Sequence, residues 1–211
     1  EWLKDAGLSS DAFEKLEHAL CCELFPEEAA LPKVFPLGGR RKPAGAPAVV
    51  GGRQFSRAFD LFTEGLLRDM DWSNVFAAGG SVMACLQPPD LPAEAKDSAR
   101  ALRKYFHDVA YPNSDVDLFL YGLDAEAAKA KIIDIFQAVE DACPFEVVAF
   151  RSSHAITLVS QYPFRHIQIV LRLYSSPAEV LTGFDVDACA VGWDGSRVWV
   201  APRAHAALVT Q

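Results

Sequence analysis

The chain has 211 residues, 51% apolar and 11% aromatic, which suffices for the packed core of one ordinary domain and excludes wholesale disorder. A net charge of −8 and an isoelectric point near 5.1 exclude passive, charge-driven binding to nucleic acid, while leaving room for a local basic groove. There is no apolar run of roughly 18 residues and no signal-peptide pattern, so no membrane partner is expected.

The five cysteines (Cys21, Cys22, Cys85, Cys143, Cys189) are odd in number and widely spaced, and read as thiols of a reducing compartment, cytoplasmic or nuclear. Because the chain opens on Glu1 and closes on Gln211, it is read as a piece of a longer protein with other domains.

Residues 11–24 read as a helix. Asp11 and Glu14 make a capping box, Phe13, Leu16, Leu20 and Leu24 keep the helical spacing, and Pro26 ends it. Proline and glycine then dominate to residue 54 around Arg40-Arg41-Lys42, a solvated linker that sets 1–54 apart from a domain at 55–211. A second helix carries Phe55, Phe59, Phe62, Leu66 and Met70 along one stripe. Val75-Phe76-Ala77 is a short strand, and Gly79-Gly80-Ser81 turns it into an apolar helix ending near Leu86.

Residues 87–112 read as an insert that opens as a Pro88-Pro89 loop and continues as a helix from Glu94 to Val109. It bears Arg100, Arg103, Lys104 and His107, which form either a phosphate-facing surface or a salt-bridged solvent face. The turn Pro112-Asn113-Ser114 leads into a strand with Asp115 and Asp117 among Val116, Leu118, Phe119 and Leu120. Asp124 caps a helix reaching Ala142. Beyond Pro144, residues 145–150 and 155–160 make a hairpin, and His166 to Tyr174 is a third strand. A short helix starts at Ser176-Pro177. Strands at Val186–Val191 and Arg197–Val200 flank the turn Trp193–Ser196, and Pro202 opens a last helix. The alternation predicts an α+β fold with helices packed on a mixed sheet.

Residues i and i+2 of a strand share a face, so Asp115 and Asp117 project together and repel unless a cation or proton lies between them. Such a pair seats a hard divalent ion that also takes phosphate oxygens. A Gly-Gly-Ser turn at a helix start offers backbone N–H groups to a phosphate. The two together suit phosphoryl chemistry.

Gly79-Gly80-Ser81 followed by Ser114-Asp115-Val116-Asp117-Leu118 resembles the signature of the nucleotidyltransferase fold, the DNA polymerase beta superfamily. The resemblance covers residues 55–199 and departs in the 33 residues between Ser81 and Asp115, longer than the family's usual spacing. It implies Mg²⁺ or Mn²⁺ on Asp115 and Asp117, an NTP substrate cradled by Gly79, Gly80 and Ser81, and transfer of a nucleotide to a hydroxyl of nucleic acid, protein or a small molecule.

The family's third carboxylate falls on Gln168, whose amide oxygen can coordinate but brings no charge. Asp185 and Asp187, a second Asp-Val-Asp, are the candidates to replace it, Asp185 as metal ligand and Asp187 as catalytic carboxylate; Glu146 is a poorer one. Arg165 and Arg172 face either the triphosphate or solvent. The alternative implied by Gln168 is a catalytically weakened domain of the same fold, kept as a binding or scaffold module.

Overall fold

One sheet organises the molecule, and its register brings distant sequence segments to a common end. The computed structural model describes residues 22–23 and 47–210. The sheet has eight strands: β1 (Cys22–Glu23), β2 (Val75–Ala78), β3 (Val116–Tyr121), β4 (Val148–Arg151), β5 (Ala155–Val159), β6 (Ile167–Tyr174), β7 (Val191–Trp193) and β8 (Val198–Val200). Their order is β1-β8-β7-β2-β3-β6-β5-β4. Every neighbouring pair is antiparallel except β3 and β6, which run parallel. The helices are α1 (Gly52–Phe62), α2 (Gly80–Leu86), α3 (Ala99–Lys104), α4 (Ala125–Ala142), α5 (Pro177–Thr182) and α6 (Pro202–Thr210). This is the α+β architecture with a mixed sheet that the sequence predicts.

Local chemistry sets most boundaries. Asp124 caps α4 by accepting from the Ala127 N–H at 2.8 Å, and Ser176 caps α5, with Pro177 at its first position. Strand β3 reads Val-Asp-Leu-Phe-Leu-Tyr. Val116, Leu118 and Leu120 point to one face and are fully buried, in one core with Ile167 and Ile169 of β6 and Ile135 and Val139 of α4. The opposite face takes Asp117 and Phe119.

Four expectations are corrected. The helix beginning near Phe55 stops at Phe62, because Glu64 (φ +50°) and Gly65 (φ +78°) are left-handed; Leu66 and Met70 are buried nonetheless, from a turn. The insert is not one helix from Glu94. It is a 3₁₀ turn (Ala93–Ala95), then α3 capped by Ser98, then a π-helical turn (Tyr105–Ala110). The strand expected over Val186–Val191 begins only at Val191, after a 3₁₀ turn (Asp187–Cys189). Cys22 and Glu23, expected at the end of a helix, instead pair with Val200 and Trp199. The rest of that helix and the basic triplet lie outside the described residues. Among the described residues, no helix is long and apolar enough to cross a membrane.

Candidate active site

Asp115 and Asp117 stand at the entry of β3, both half-buried. The β2–β3 register sets Ala77 opposite Leu118, so the Gly79-Gly80-Ser81 turn, which follows β2, lies at the end of the sheet where β3 begins. On the other side, Asp117 pairs with Gln168 and Val116 with Ile167, so β6 starts at that same end. Paired residues share a sheet face, which puts Gln168 beside Asp117 where the resemblance calls for a third carboxylate. The row continues through Thr157 to Phe150, which is 59% exposed, so this face stays open towards β4.

The Asp117 carboxyl is pushed up to about 6, chiefly because burial penalises its charge and further because Asp115 repels it. Among the described residues, no group of three or more His, Cys, Asp or Glu converges in a way that could hold a metal ion. The donor set at this end is therefore two carboxylates and one amide.

The glycine turn has two distinct parts. Gly79 has φ +87°, and a side-chain carbon on it would lie 2.8 Å from the Phe184 ring, so only glycine fits. Its N–H donates to the Val191 carbonyl at 3.0 Å, tying the turn to β7. Gly80 is exposed, and a side-chain carbon there would meet no atom within 4 Å. The first helical bond of α2 runs from the Met83 N–H to the Gly79 carbonyl, so the N–H groups of Gly80, Ser81 and Val82 precede the helical ladder. The Ser81 hydroxyl is buried and has no hydrogen-bond partner, a cost that native interiors rarely leave uncompensated. Phe184 also packs edge-on against Phe119 at 5.9 Å, so one ring joins the glycine turn to the aspartate strand.

The remaining expected site residues face other groups. Asp187 is exposed on the 3₁₀ turn and pairs with Arg203 at 2.8 Å; the same arginine also donates to the Leu181 and Phe184 carbonyls. Asp185 is exposed beside Cys189, whose thiol pKa is raised by burial and then by this carboxylate. Neither aspartate is on a strand, so the i, i+2 rule that would aim them at one face does not apply. They join no metal-binding group with Asp115 and Asp117. Arg172 bonds Glu179 at 3.4 Å on the exposed side of β6.

Arg165 is only 6% exposed and serves the backbone. It donates from Nε to the Phe62 carbonyl, from Nη1 to those of Tyr111 and Ser114, and from Nη2 to that of Phe106. Its guanidinium also lies 3.9 Å from the centre of the Phe62 ring. The expectation that it faces a triphosphate is thus corrected: it staples α1, the π-helical turn and the loop that presents Asp115. Of the four bases on the insert, Arg103 and His107 both bond Glu64, at 2.7 and 3.0 Å, as a salt-bridged face does. The roles of Glu64 and Phe184 carried no signal in the sequence, since each acts through a contact between remote segments.

Over residues 53–211 the chain matches the family model described as Gabija anti-defense 2 family protein. It is also 31% identical over 101 residues to an uncharacterized protein of Acanthamoeba polyphaga mimivirus, covering 41% of this chain and 22% of that protein. The chain thus corresponds to less than a quarter of its mimivirus relative's length. No solved structure matches it. The family match spans α1 through α6, including the glycine turn, the aspartate strand and Gln168, and by it the chain belongs to the Gabija anti-defense 2 family.

Proposed function

We propose that this chain is a metal-dependent nucleotidyltransferase of the polymerase beta superfamily fold, moving a nucleotide from an NTP to a hydroxyl acceptor, and that the anti-defense role in its family's name is exercised through that transfer. The observation that carries the reading is the common end shared by the Gly79-Gly80-Ser81 turn, the Asp115–Asp117 entry of β3 and Gln168 in register beside it.

The residues fit the implied groups. The open space before Gly80, the helix-start N–H groups and the unpartnered Ser81 hydroxyl suit a phosphate. Asp115, Asp117 and the Gln168 amide oxygen suit a hard divalent ion. When bound, Mg²⁺ or Mn²⁺ supplies charge neutralisation at the phosphates and makes the acceptor hydroxyl more acidic. The hydroxyl oxygen bonds to the α-phosphorus as the bond to the bridging oxygen breaks, and pyrophosphate leaves with that electron pair. The hydroxyl proton would pass to an Asp115 or Asp117 carboxylate oxygen that does not hold the cation, or to solvent.

Calorimetric titration of NTPs with and without Mg²⁺ or Mn²⁺ tests the binding step. Labelled NTP offered with an oligonucleotide, a protein or a small polyol tests transfer. Binding that ignores the divalent ion, together with no transfer, would sink the proposal. Gly80→Val should leave the fold intact, because the space is open and φ is ordinary, yet abolish NTP binding by filling the cradle. Ser81→Ala should weaken NTP binding by about 1 kcal/mol, one lost hydrogen bond. If Gly80→Val binds NTP like the parent, the turn is only a packing turn.

Gln168 favours a second reading, a binding module of the same fold that acts on a defence component without chemistry. Gln168→Glu separates the two. It adds the charge that the donor set lacks and should tighten Mg²⁺ by about tenfold, with activity gained or raised. Unchanged Mg²⁺ affinity and no transfer in variant and parent alike would favour the module.

A further inference from the structure

Next to Asp115 a cleft of about 230 Å³ opens between the loop before β3 and the loop before β6. One wall is Tyr162, a residue 75% exposed although large aromatic side chains generally seek cover. It is not a loose side chain. Its ring meets His107 nearly perpendicularly, 5.5 Å centre to centre, and His107 is buried and fixed by Glu64 at 3.0 Å. Glu64 is in turn held by Arg103 at 2.7 Å. A flat, uncovered ring is therefore braced from behind by the buried His107–Glu64 pair, which Arg103 holds from the surface.

Among its other lining residues, Asn113, Ser114 and His166 offer amide, hydroxyl and imidazole groups and Asp115 a carboxylate, while Phe164 adds apolar surface. This is the inventory for one planar ring with donors and acceptors around its rim. It is a poor seat for a phosphate: Asp115 is negative, and the nearby Arg165 cation spends its donors on four carbonyls.

We infer that the cleft is a nucleobase pocket, in which the ring stacks on Tyr162 and its rim is read by Asn113, Ser114 and His166. The sugar then leads towards Asp115 and Asp117. The inference rests on the nucleotidyltransferase reading for the direction of the sugar, while base stacking stands on the cleft alone. The base belongs either to the donor NTP or to a nucleotide acceptor.

The four ribonucleosides, titrated at millimolar concentration in EDTA and followed by NMR shifts, read the cleft without phosphate or metal. At least one should bind. Tyr162→Ala should weaken it about tenfold or more, and Tyr162→Phe should hold it within about twofold, since stacking needs the ring and not the hydroxyl. With Mg²⁺ present, displacement of the nucleoside by NTP assigns the pocket to the donor; displacement by a short oligonucleotide, with NTP bound alongside, assigns it to the acceptor. Nucleoside binding indifferent to Tyr162→Ala overturns the pocket, even where Mg²⁺-dependent NTP binding survives. Tyr162-dependent nucleoside binding without any Mg²⁺-dependent NTP binding leaves the pocket standing and overturns the transferase reading instead. No nucleoside binding at all overturns the pocket outright.

Discussion

Asp117→Asn is expected to abolish nucleotide transfer while raising the melting temperature, at neutral pH and without metal, by about 4–8 °C. The two effects share one cause. Burial and the neighbouring Asp115 push the Asp117 carboxyl from its ordinary 3.8 up to about 6. The folded state thus binds this proton more tightly than the unfolded chain does. The resulting stabilisation is complete below about pH 4 and is lost as the pH rises through 6. At pH 7.5 the native state carries an ionised, crowded carboxylate at a cost on the order of 2 kcal/mol, which the neutral amide removes. The same amide cannot take up a proton or neutralise a cation. Thermal melts of parent and variant from pH 4 to 8 should diverge through pH 5–6, with the variant ahead at the alkaline end. Saturating Mg²⁺ and NTP should then raise the parent's melting temperature and leave the variant's unmoved. A variant that melts below the parent at pH 7.5 in EDTA would mean that Asp117 is a structural acceptor and not a metal ligand.

The carboxylate pair and its surroundings were legible because they depend on strand periodicity, a local property. Asp117 lies on the strand that its alternation announces, with Asp115 just before it, and the apolar run His166 to Tyr174 announces the strand that brings Gln168 alongside. The second Asp-Val-Asp, which could lie on a strand or a turn, takes the turn. Phe-Asp-Val-Asp-Ala has the alternation of a strand, but the chain leaves α5 there and folds into a 3₁₀ turn that Arg203 holds by bonding Leu181, Phe184 and Asp187. The aromatic stripe of the first long helix shows period and element parting company. Leu66 and Met70 are buried as their spacing implies, although Glu64 and Gly65 break the helix before them. What left no trace was the hub around Arg165. Its partners are main-chain carbonyls of residues 62, 106, 111 and 114, and a carbonyl looks the same whatever side chain it belongs to.

That hub sets the largest stability effect to be expected in this protein. Arg165→Met should cost about 4 kcal/mol, and Arg165→Lys most of it. The guanidinium satisfies four carbonyls from three nitrogens held in one plane, in a site only 6% exposed, and stacks on Phe62. Methionine fills similar volume but leaves those carbonyls buried without a donor, each costing about 1 kcal/mol or more. Lysine keeps the charge, yet presents its donors from a single point and cannot span carbonyls on three separate segments. Burial already pulls the Arg165 pKa down, so desolvation is a standing cost that the four bonds offset. Loss of the staple from the Ser114 carbonyl should also loosen the residue before Asp115. Asp115 would then move, easing the smaller of the two causes of the raised Asp117 pKa, so that pKa, read by NMR titration of the side-chain carboxyl, should fall modestly from about 6 while burial keeps it above 3.8. Denaturant unfolding of the three proteins checks the first effect and that titration the second. A methionine variant within about 1 kcal/mol of the parent would show that the guanidinium is not what satisfies those carbonyls, and would return Arg165 to the set of groups able to meet a triphosphate.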